Sequence, residues 1–277
     1  METAYKLIAL DMDGTLLRSN KTIHPDSIRD IRAASSAGVQ VVFCTGRGIP
    51  ELAAYFDIVP MMRYAVCDSG AVVYDCAERR ILFCEAMDRA AVCEAVRAAA
   101  KYRAMVHFLT AEESVATAED VAHMADFHMG VYQKMFRGIA RQVDDMMAEA
   151  RRNDTVAKVN LYFRSAEDRE VCCAELRERG LPFYLAYTEE TSLELTSPDV
   201  TKASGLKWLA DHLGIPMAQT VGIGDSGNDR AMLEQAGLSV AMGNADADLR
   251  ALCDRMTLDN DHNGVGVAIR ALLSAAE

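Results

Sequence analysis

No stretch of this sequence stays apolar for the roughly 18 residues that a membrane-spanning helix needs, so none is expected to cross a bilayer. A basic region followed by an apolar stretch is also missing from the N-terminus, where Asp11 interrupts the first hydrophobic segment; we expect no signal peptide. Nor is there a surplus of positive charge: 29 Lys and Arg stand against 41 Asp and Glu, a formal net charge of −12. A chain this acidic is poorly suited to hold DNA, RNA or an anionic membrane through its overall field, although a local basic pocket for a small phosphate is compatible with it. The cysteines, at 44, 67, 76, 84, 93, 172, 173 and 253, include no Cys-x-x-Cys pair, so no zinc site is indicated. Most lie in apolar runs such as Val41-Val42-Phe43-Cys44 and read as buried thiols of a reducing, cytoplasmic compartment. No repeat of fixed period and no low-complexity tract interrupts the chain.

What is present is an ordinary globular composition in 277 residues, enough for one large domain or two modest ones. Tyr5 to Leu10 reads as a short buried strand that ends in the polar turn Asp11-Met12-Asp13-Gly14-Thr15. His24-Pro25-Asp26 opens a helix that Gly38 closes, and Val39 to Cys44 is a second continuous, β-branched strand ending at Thr45-Gly46-Arg47. Glu51 to Phe56 reads as helical, and strands flank Ser69-Gly70. Near the end the pattern returns: helix 202–213, strand 220–223, helix 229–236, strand 238–242 and helix 265–273. Continuous apolar strands alternating with amphipathic helices predict a parallel sheet covered on both faces.

The middle differs. Helices are expected at 89–101, 121–128, 139–150 and 167–179, with strand-like stretches of alternating character at 105–109, 157–163 and 182–187. This predicts a separate α+β unit at 82–190, inserted into a core formed by 1–81 and 191–277. Met124, Met129, Met135, Met146 and Met147 cluster there and read as flexible core filler. His123 and His128 are spaced off a common helix face, which does not favour a shared metal ion.

The chemistry sits on the strand-end turns. Asp11 and Asp13 put two carboxylates at the carboxyl end of a buried strand, where open α/β sheets bind ligands. Their repulsion calls for a cation, and hard oxygen donors suit Mg²⁺. Gly224-Asp225-Ser226-Gly227-Asn228-Asp229 follows another apolar strand and opens a helix, so Asp225 can complete a metal site. Thr45-Gly46 offers a hydroxyl and an unhindered N–H to a phosphate, and Lys202 at a helix start offers a neutralising cation.

Asp11-Met12-Asp13-Gly14-Thr15-Leu16-Leu17, Thr45-Gly46-Arg47, Lys202 and Gly224-Asp225-Ser226-Gly227-Asn228-Asp229, in this order, resemble the four-motif signature of the haloacid dehalogenase superfamily. Ala241-Met242-Gly243-Asn244-Ala245 and Asn263-Gly264-Val265 resemble its Cof-type phosphatases. The resemblance implies a Rossmann-like α/β core with an inserted α/β cap in the long interval between Thr45 and Lys202. It also implies Mg²⁺-dependent hydrolysis of small phosphorylated metabolites, sugar phosphates above all, through an aspartyl-phosphate. In that reading Asp11 is the nucleophile and a metal ligand, and Asp13 is the general acid/base whose carbonyl binds the metal. Asp225 is the further carboxylate ligand, supported by Asp229. Met12 N–H, Thr45, Gly46, Lys202 and Asn228 bind the phosphate. Ser69-Gly70 stands where Cof-type proteins usually have Asn-Gly. Two other readings share the motifs: a phosphomutase that returns the phosphoryl group to substrate, and a non-catalytic phospholigand sensor. A sensor has no need of a nucleophile beside an acid.

Overall fold

The structure, a computed structural model, describes residues 4–274. The chain divides into two compact units: one comprises the segments up to Gly46, Ala54–Phe83 and from Thr201 onward, and the other Arg47–Ala53 and Cys84–Val200.

The first unit is built on an eight-stranded sheet in the order Arg255–Met256, Leu238–Ala241, Thr220–Gly224, Leu7–Leu10, Gln40–Cys44, Tyr64–Cys67, Val72–Asp75, Arg80–Cys84. The six strands from Arg255–Met256 through Tyr64–Cys67 run parallel, and Val72–Asp75 turns back antiparallel on Tyr64–Cys67. The inner parallel strands, such as Leu7–Leu10, residues 41–44 and Tyr64–Cys67, read as unbroken apolar runs because both faces are covered. Leu7, Ala9, Val42 and Val66 meet Leu206, Leu209, Met232 and Leu233 from helices Lys202–His212 and Arg230–Gln235. Helix Pro25–Ser36 packs on Gln40–Cys44 and on helix Gly264–Ser274. Leu7–Leu10 pairs with Gln40–Cys44 on one side and with Thr220–Gly224 on the other. The winding therefore reverses at this strand, and the crevice beyond its carboxyl end is the place where such sheets bind ligands.

The second unit holds a six-stranded sheet in the order Tyr184–Tyr187, Ser192–Thr196, Val156–Tyr162, Met105–Thr110, Ser114–Thr117, Ala140–Val143. Strand alternation separates two apolar clusters. Val106, Phe108, Val159, Leu161, Leu193 and Leu195 meet helices Arg89–Lys101, Met146–Arg152 and Ala166–Glu178 on one face, together with Met146 and Met147. Met105, Ala116 and Tyr162 meet Val121, Met124, Phe127, Met129 and Phe136 on the other. The methionines thus fill two cores rather than one cluster.

Two elements differ from the sequence expectation. The stretch 139–150 is not one helix: Ala140–Val143 pairs parallel with Ser114–Thr117, and a new helix begins at Met146. Asp145 enforces the break by accepting from the N–H of Met147 and Ala148 at 2.8 and 3.1 Å. Likewise 121–128 divides into helix Ala118–Ala122, capped by Thr117, and a 3₁₀ turn, Met124–Phe127, stopped by His128 at φ +62°. Strand Ser192–Thr196 pairs antiparallel with both Val156–Tyr162 and Tyr184–Tyr187, which carries the second unit past residue 190 to Val200. Among the described residues no helix is long and apolar enough to cross a membrane.

Candidate active site

Asp11 sits directly after the reversal strand. Its N–H donates to Ile223 O at 3.0 Å, extending the ladder by one residue and bringing the Asp11 turn alongside Gly224-Asp225. The turn then closes on itself, with Leu16 N–H on Asp11 O and Leu17 N–H on Met12 O. Gly14 permits the close approach that follows. It has φ +85°, and a Cβ there would stand 2.2 Å from Asp225 Oδ2. Thr15 Oγ1 donates to Asp225 Oδ1 at 2.7 Å, so the first turn orients the carboxylate of the last.

Carboxylate oxygens of Asp11, Asp225 and Asp229 lie within 4.8 Å of one another. Lys202 Nζ, buried completely, donates to Asp11 Oδ1 and Asp229 Oδ1, each at 2.6 Å. The other oxygen of Asp229 accepts the N–H of Asp225 and Ser226 at 2.9 and 3.1 Å. Asp229 is therefore engaged on both oxygens inside the protein and holds the Asp225 turn and Lys202 in place. Gly70 supports the same lysine: with φ +107°, its α-carbon packs so close to Thr201 O that a Cβ would fall 1.9 Å from it. This gives Ser69-Gly70 a structural role beneath the helix start.

The charge balance is uneven: two buried carboxylates, Asp11 and Asp229, and the partly buried Asp225 gather near one ammonium. Burial raises the Asp11 carboxyl well above its usual range, and Asp229 adds to the shift while Lys202 opposes it. Burial also pushes Asp225 up to about 6, again with Asp229 adding and Thr15 opposing. Burial would lower the Lys202 ammonium, but Asp11 and Asp229 outweigh it and hold that group well above its ordinary value. A crowded set of hard oxygen donors with excess negative charge fits a divalent cation such as Mg²⁺.

The structure thus gathers Asp11, Asp225, Asp229 and Lys202. Thr45 extends the neighbouring strand, its N–H on Val66 O and its carbonyl receiving Ser69 N–H, and is buried with Met12. Asn228 Oδ1 accepts from Ser226 Oγ at 2.9 Å. The Asp13 carboxylate does not join the cluster; Lys21 Nζ donates to its Oδ1 at 2.8 Å. His123 and His128 contact backbone carbonyls, Glu119 O and Arg164 O respectively.

Several supporting residues escaped sequence reasoning. Asn244 Nδ2 donates to Gly14 O, Asn260 Nδ2 to Leu17 O, and Asp261 accepts from Ser19 N–H and Oγ. The only sequence signal among these was Asn244, inside a recognised motif whose purpose sequence could not show. If the cluster holds Mg²⁺ through Asp225, Gly14→Ala is expected to raise the half-saturating Mg²⁺ concentration by about tenfold, because the new methyl displaces that carboxylate. Isothermal titration with MgCl₂ measures it; unchanged Mg²⁺ binding would mean that Asp225 is not a ligand.

The sequence matches the haloacid dehalogenase-like hydrolases over residues 8–269. Phosphatase YwpJ of Bacillus subtilis (strain 168) is 29% identical, spanning 97% of this chain and 100% of that protein. The 5-amino-6-(5-phospho-D-ribitylamino)uracil phosphatase YcsE of the same organism is 27% identical over 96% of this chain and 94% of its own length. A solved haloacid dehalogenase-like hydrolase from B. subtilis superposes with a TM-score of 0.85 at 26% identity, covering 96% of this chain and 99% of that one. With the motif residues converging at the sheet's reversal point and the match running nearly end to end, the chain belongs to the haloacid dehalogenase-like hydrolases.

Proposed function

We propose that this protein is a Mg²⁺-dependent phosphatase that hydrolyses small phosphorylated metabolites, sugar or polyol phosphates, through an aspartyl-phosphate on Asp11. The observation that carries this reading is the Asp11 carboxylate at the sheet's reversal point, gathered with Asp225 and Asp229 and held by Lys202 at 2.6 Å. The phosphatase names of the two sequence relatives support it.

Asp11 and Asp225, with the Asp13 carbonyl, would hold the metal; Asp229 completes the acidic set as their support. When bound there, Mg²⁺ supplies positive charge against the phosphoryl oxygens. Lys202 fixes the Asp11 carboxylate for attack on phosphorus and neutralises part of the phosphate charge. As the ester P–O bond breaks, Asp13 gives its proton to the leaving alkoxide. It then takes one from the water that hydrolyses the aspartyl-phosphate. Met12 N–H, Thr45, Gly46 and Asn228 cradle the phosphate, and the inserted unit selects the leaving group.

The test is inorganic phosphate release across a panel of phosphorylated metabolites, with MgCl₂ and with excess EDTA. Mg²⁺-dependent release of free phosphate is the expected result. Transfer to a second hydroxyl without free phosphate would make the protein a mutase. Activity undiminished by EDTA would remove the metal from the scheme.

The cluster also predicts a pH dependence. The Asp225 carboxyl stands at about 6 in the folded chain against an ordinary 3.8. The metal-free fold therefore binds more protons than the unfolded chain between those values. Its stability from this group is greatest below 3.8 and is lost as pH rises through about 6. Mg²⁺ competes with those protons, so its thermal stabilisation should be large at pH 8 and nearly absent at pH 5. Thermal melts with Mg²⁺ and with EDTA at both pH values measure it; equal Mg²⁺ shifts would contradict the ligand set.

A further inference from the structure

Between Asp13 and the first helix the chain makes a tight hairpin. Leu17 bridges Asp13 on one side and Ile23 antiparallel on the other. Arg18 N–H donates to Thr22 O at 2.9 Å and Lys21 N–H to Arg18 O at 2.8 Å, while Asn20 Oδ1 accepts from Thr22 N–H and Oγ1. Lys21 closes this turn at φ +62°, a left-handed conformation that a lysine rarely adopts. Its carbonyl accepts from Tyr55 OH at 3.2 Å. With the backbone so set, Lys21 Nζ stands 2.8 Å from Asp13 Oδ1.

The hairpin is fastened from the far end of the chain. Asp261 accepts from Ser19 N–H at 2.9 Å and from Ser19 Oγ at 2.6 Å. Asn260 Nδ2 donates to Leu17 O, and Asn244 Nδ2 to Gly14 O, each at 2.8 Å. Asn260 N–H in turn donates to Asn244 Oδ1 at 3.1 Å. A left-handed Lys21 in a turn fastened to Tyr55, Asn244, Asn260 and Asp261 has its side chain aimed by the backbone. The geometry gains a purpose if the position of that ammonium matters.

We infer that Lys21 is a positioning residue for Asp13: its ammonium holds Asp13 Oδ1 and so fixes the orientation from which the other carboxyl oxygen exchanges a proton with the leaving oxygen. An ammonium donates and cannot accept, so Oδ1 is the acceptor in this pair and the proposal assigns proton exchange to Oδ2. As the ester bond breaks, that proton passes from Oδ2 to the departing alkoxide, and Lys21 keeps its own protons throughout. This inference rests on the reading of Asp13 as the general acid/base. The side chains are 40% and 36% exposed, and a pair so exposed biases an orientation by about fivefold at most. The expected effect is accordingly modest and selective.

The experiment compares wild type, Lys21→Gln, Lys21→Arg and Asp13→Asn in MgCl₂, with glucose 6-phosphate and p-nitrophenyl phosphate as substrates. Nitrophenolate leaves without help from an acid, whereas a sugar alkoxide needs it. Lys21→Gln should lower kcat on glucose 6-phosphate about three- to fivefold. It should leave KM and the aryl ester nearly unchanged, and Lys21→Arg should restore the loss. Equal losses on both esters, or a change confined to KM, would overturn the proposal; the latter would make Lys21 a substrate contact. If Asp13→Asn shows a selective deficit and Lys21→Gln does not, positioning fails while the phosphatase reading stands. If wild type releases no phosphate from either ester or from the metabolite panel, the phosphatase reading fails, and crystal structures of wild type and Lys21→Gln decide whether Lys21 orients Asp13. An Asp13 side chain that turns away when Lys21 is lost supports the inference, and an unchanged one overturns it.

Discussion

Asp11→Asn is expected to lower kcat for phosphate release by at least about 10⁴-fold while leaving the chain folded. On the proposed mechanism an amide of the same shape cannot attack phosphorus, and the substitution would also withdraw a ligand charge from the metal. The fold should tolerate it for a specific reason. Asp11 is one of three clustered carboxylates near a single ammonium, two of them buried, and burial already works against its ionised form. Removing one negative charge relieves that crowding, while Lys202 keeps its 2.6 Å bond to Asp229. In excess EDTA at pH 8 the variant should therefore melt at or above the temperature of wild type. Adding Mg²⁺ should shift it less than wild type. Circular dichroism melts and phosphate release on one preparation measure both effects. Near-normal turnover would place the nucleophile elsewhere; a sharply lowered melting temperature would show that Asp11 is a net structural asset.

Lys202→Met should do the opposite to stability. The side chain is fully buried and is bonded to both Asp11 and Asp229. Without it, three carboxylates face one another with no internal cation, and breaking a buried ion pair from one side costs about 3–5 kcal/mol. If Lys202 binds the phosphate as proposed, its loss should also cost about 10²–10³ in kcat. Part of the stability deficit should return with Mg²⁺, which supplies the missing charge. The deficit should also shrink on acidification. Carboxylates whose folded pKa is raised hold protons that the unfolded chain releases, so lower pH favours the fold. Urea unfolding in EDTA and in MgCl₂, at pH 5 and pH 8, separates these terms. A chelated variant as stable as wild type at pH 8 would mean that the cluster is not held together by charge.

Asp11, Thr45 and Asp225 could be read from the sequence because each lies immediately beyond an apolar strand, and Lys202 because it opens a helix. Burial of Leu7–Leu10 and Thr220–Gly224 on both faces makes those runs continuous, and the polar residue after each marks the sheet's carboxyl edge. Thr15, Lys21, Asn260 and Asp261 could not be assigned that way. Thr15 acts on Asp225, 210 positions later, and Asp261 on Ser19, 242 positions earlier. Such partnerships come from tertiary packing and leave no local periodicity. Secondary structure failed for a related reason. Residues 139–150 carry apolar spacing that suits a helix, yet Ala140–Val143 is an edge strand because Ser114–Thr117 offers it a ladder. An aspartate in the middle of that window, Asp145, was the available warning, since it caps the helix that follows.

The place of Leu7–Leu10 in the sheet has a consequence for the nascent chain. The strand that leads into Asp11 leaves the ribosome before both of its partners. One of its partners, Gln40–Cys44, follows soon after, whereas the other begins at Thr220. At about 5–20 residues per second, translation takes roughly 10–40 s to deliver that second partner. Throughout that interval an all-apolar strand, Leu-Ile-Ala-Leu, has one edge open to pairing with any other chain. During the same interval the ribosome makes Cys84–Val200, which has an apolar core of its own. The segment that interrupts the core in sequence is thus also what prolongs the wait between the strand's two pairings.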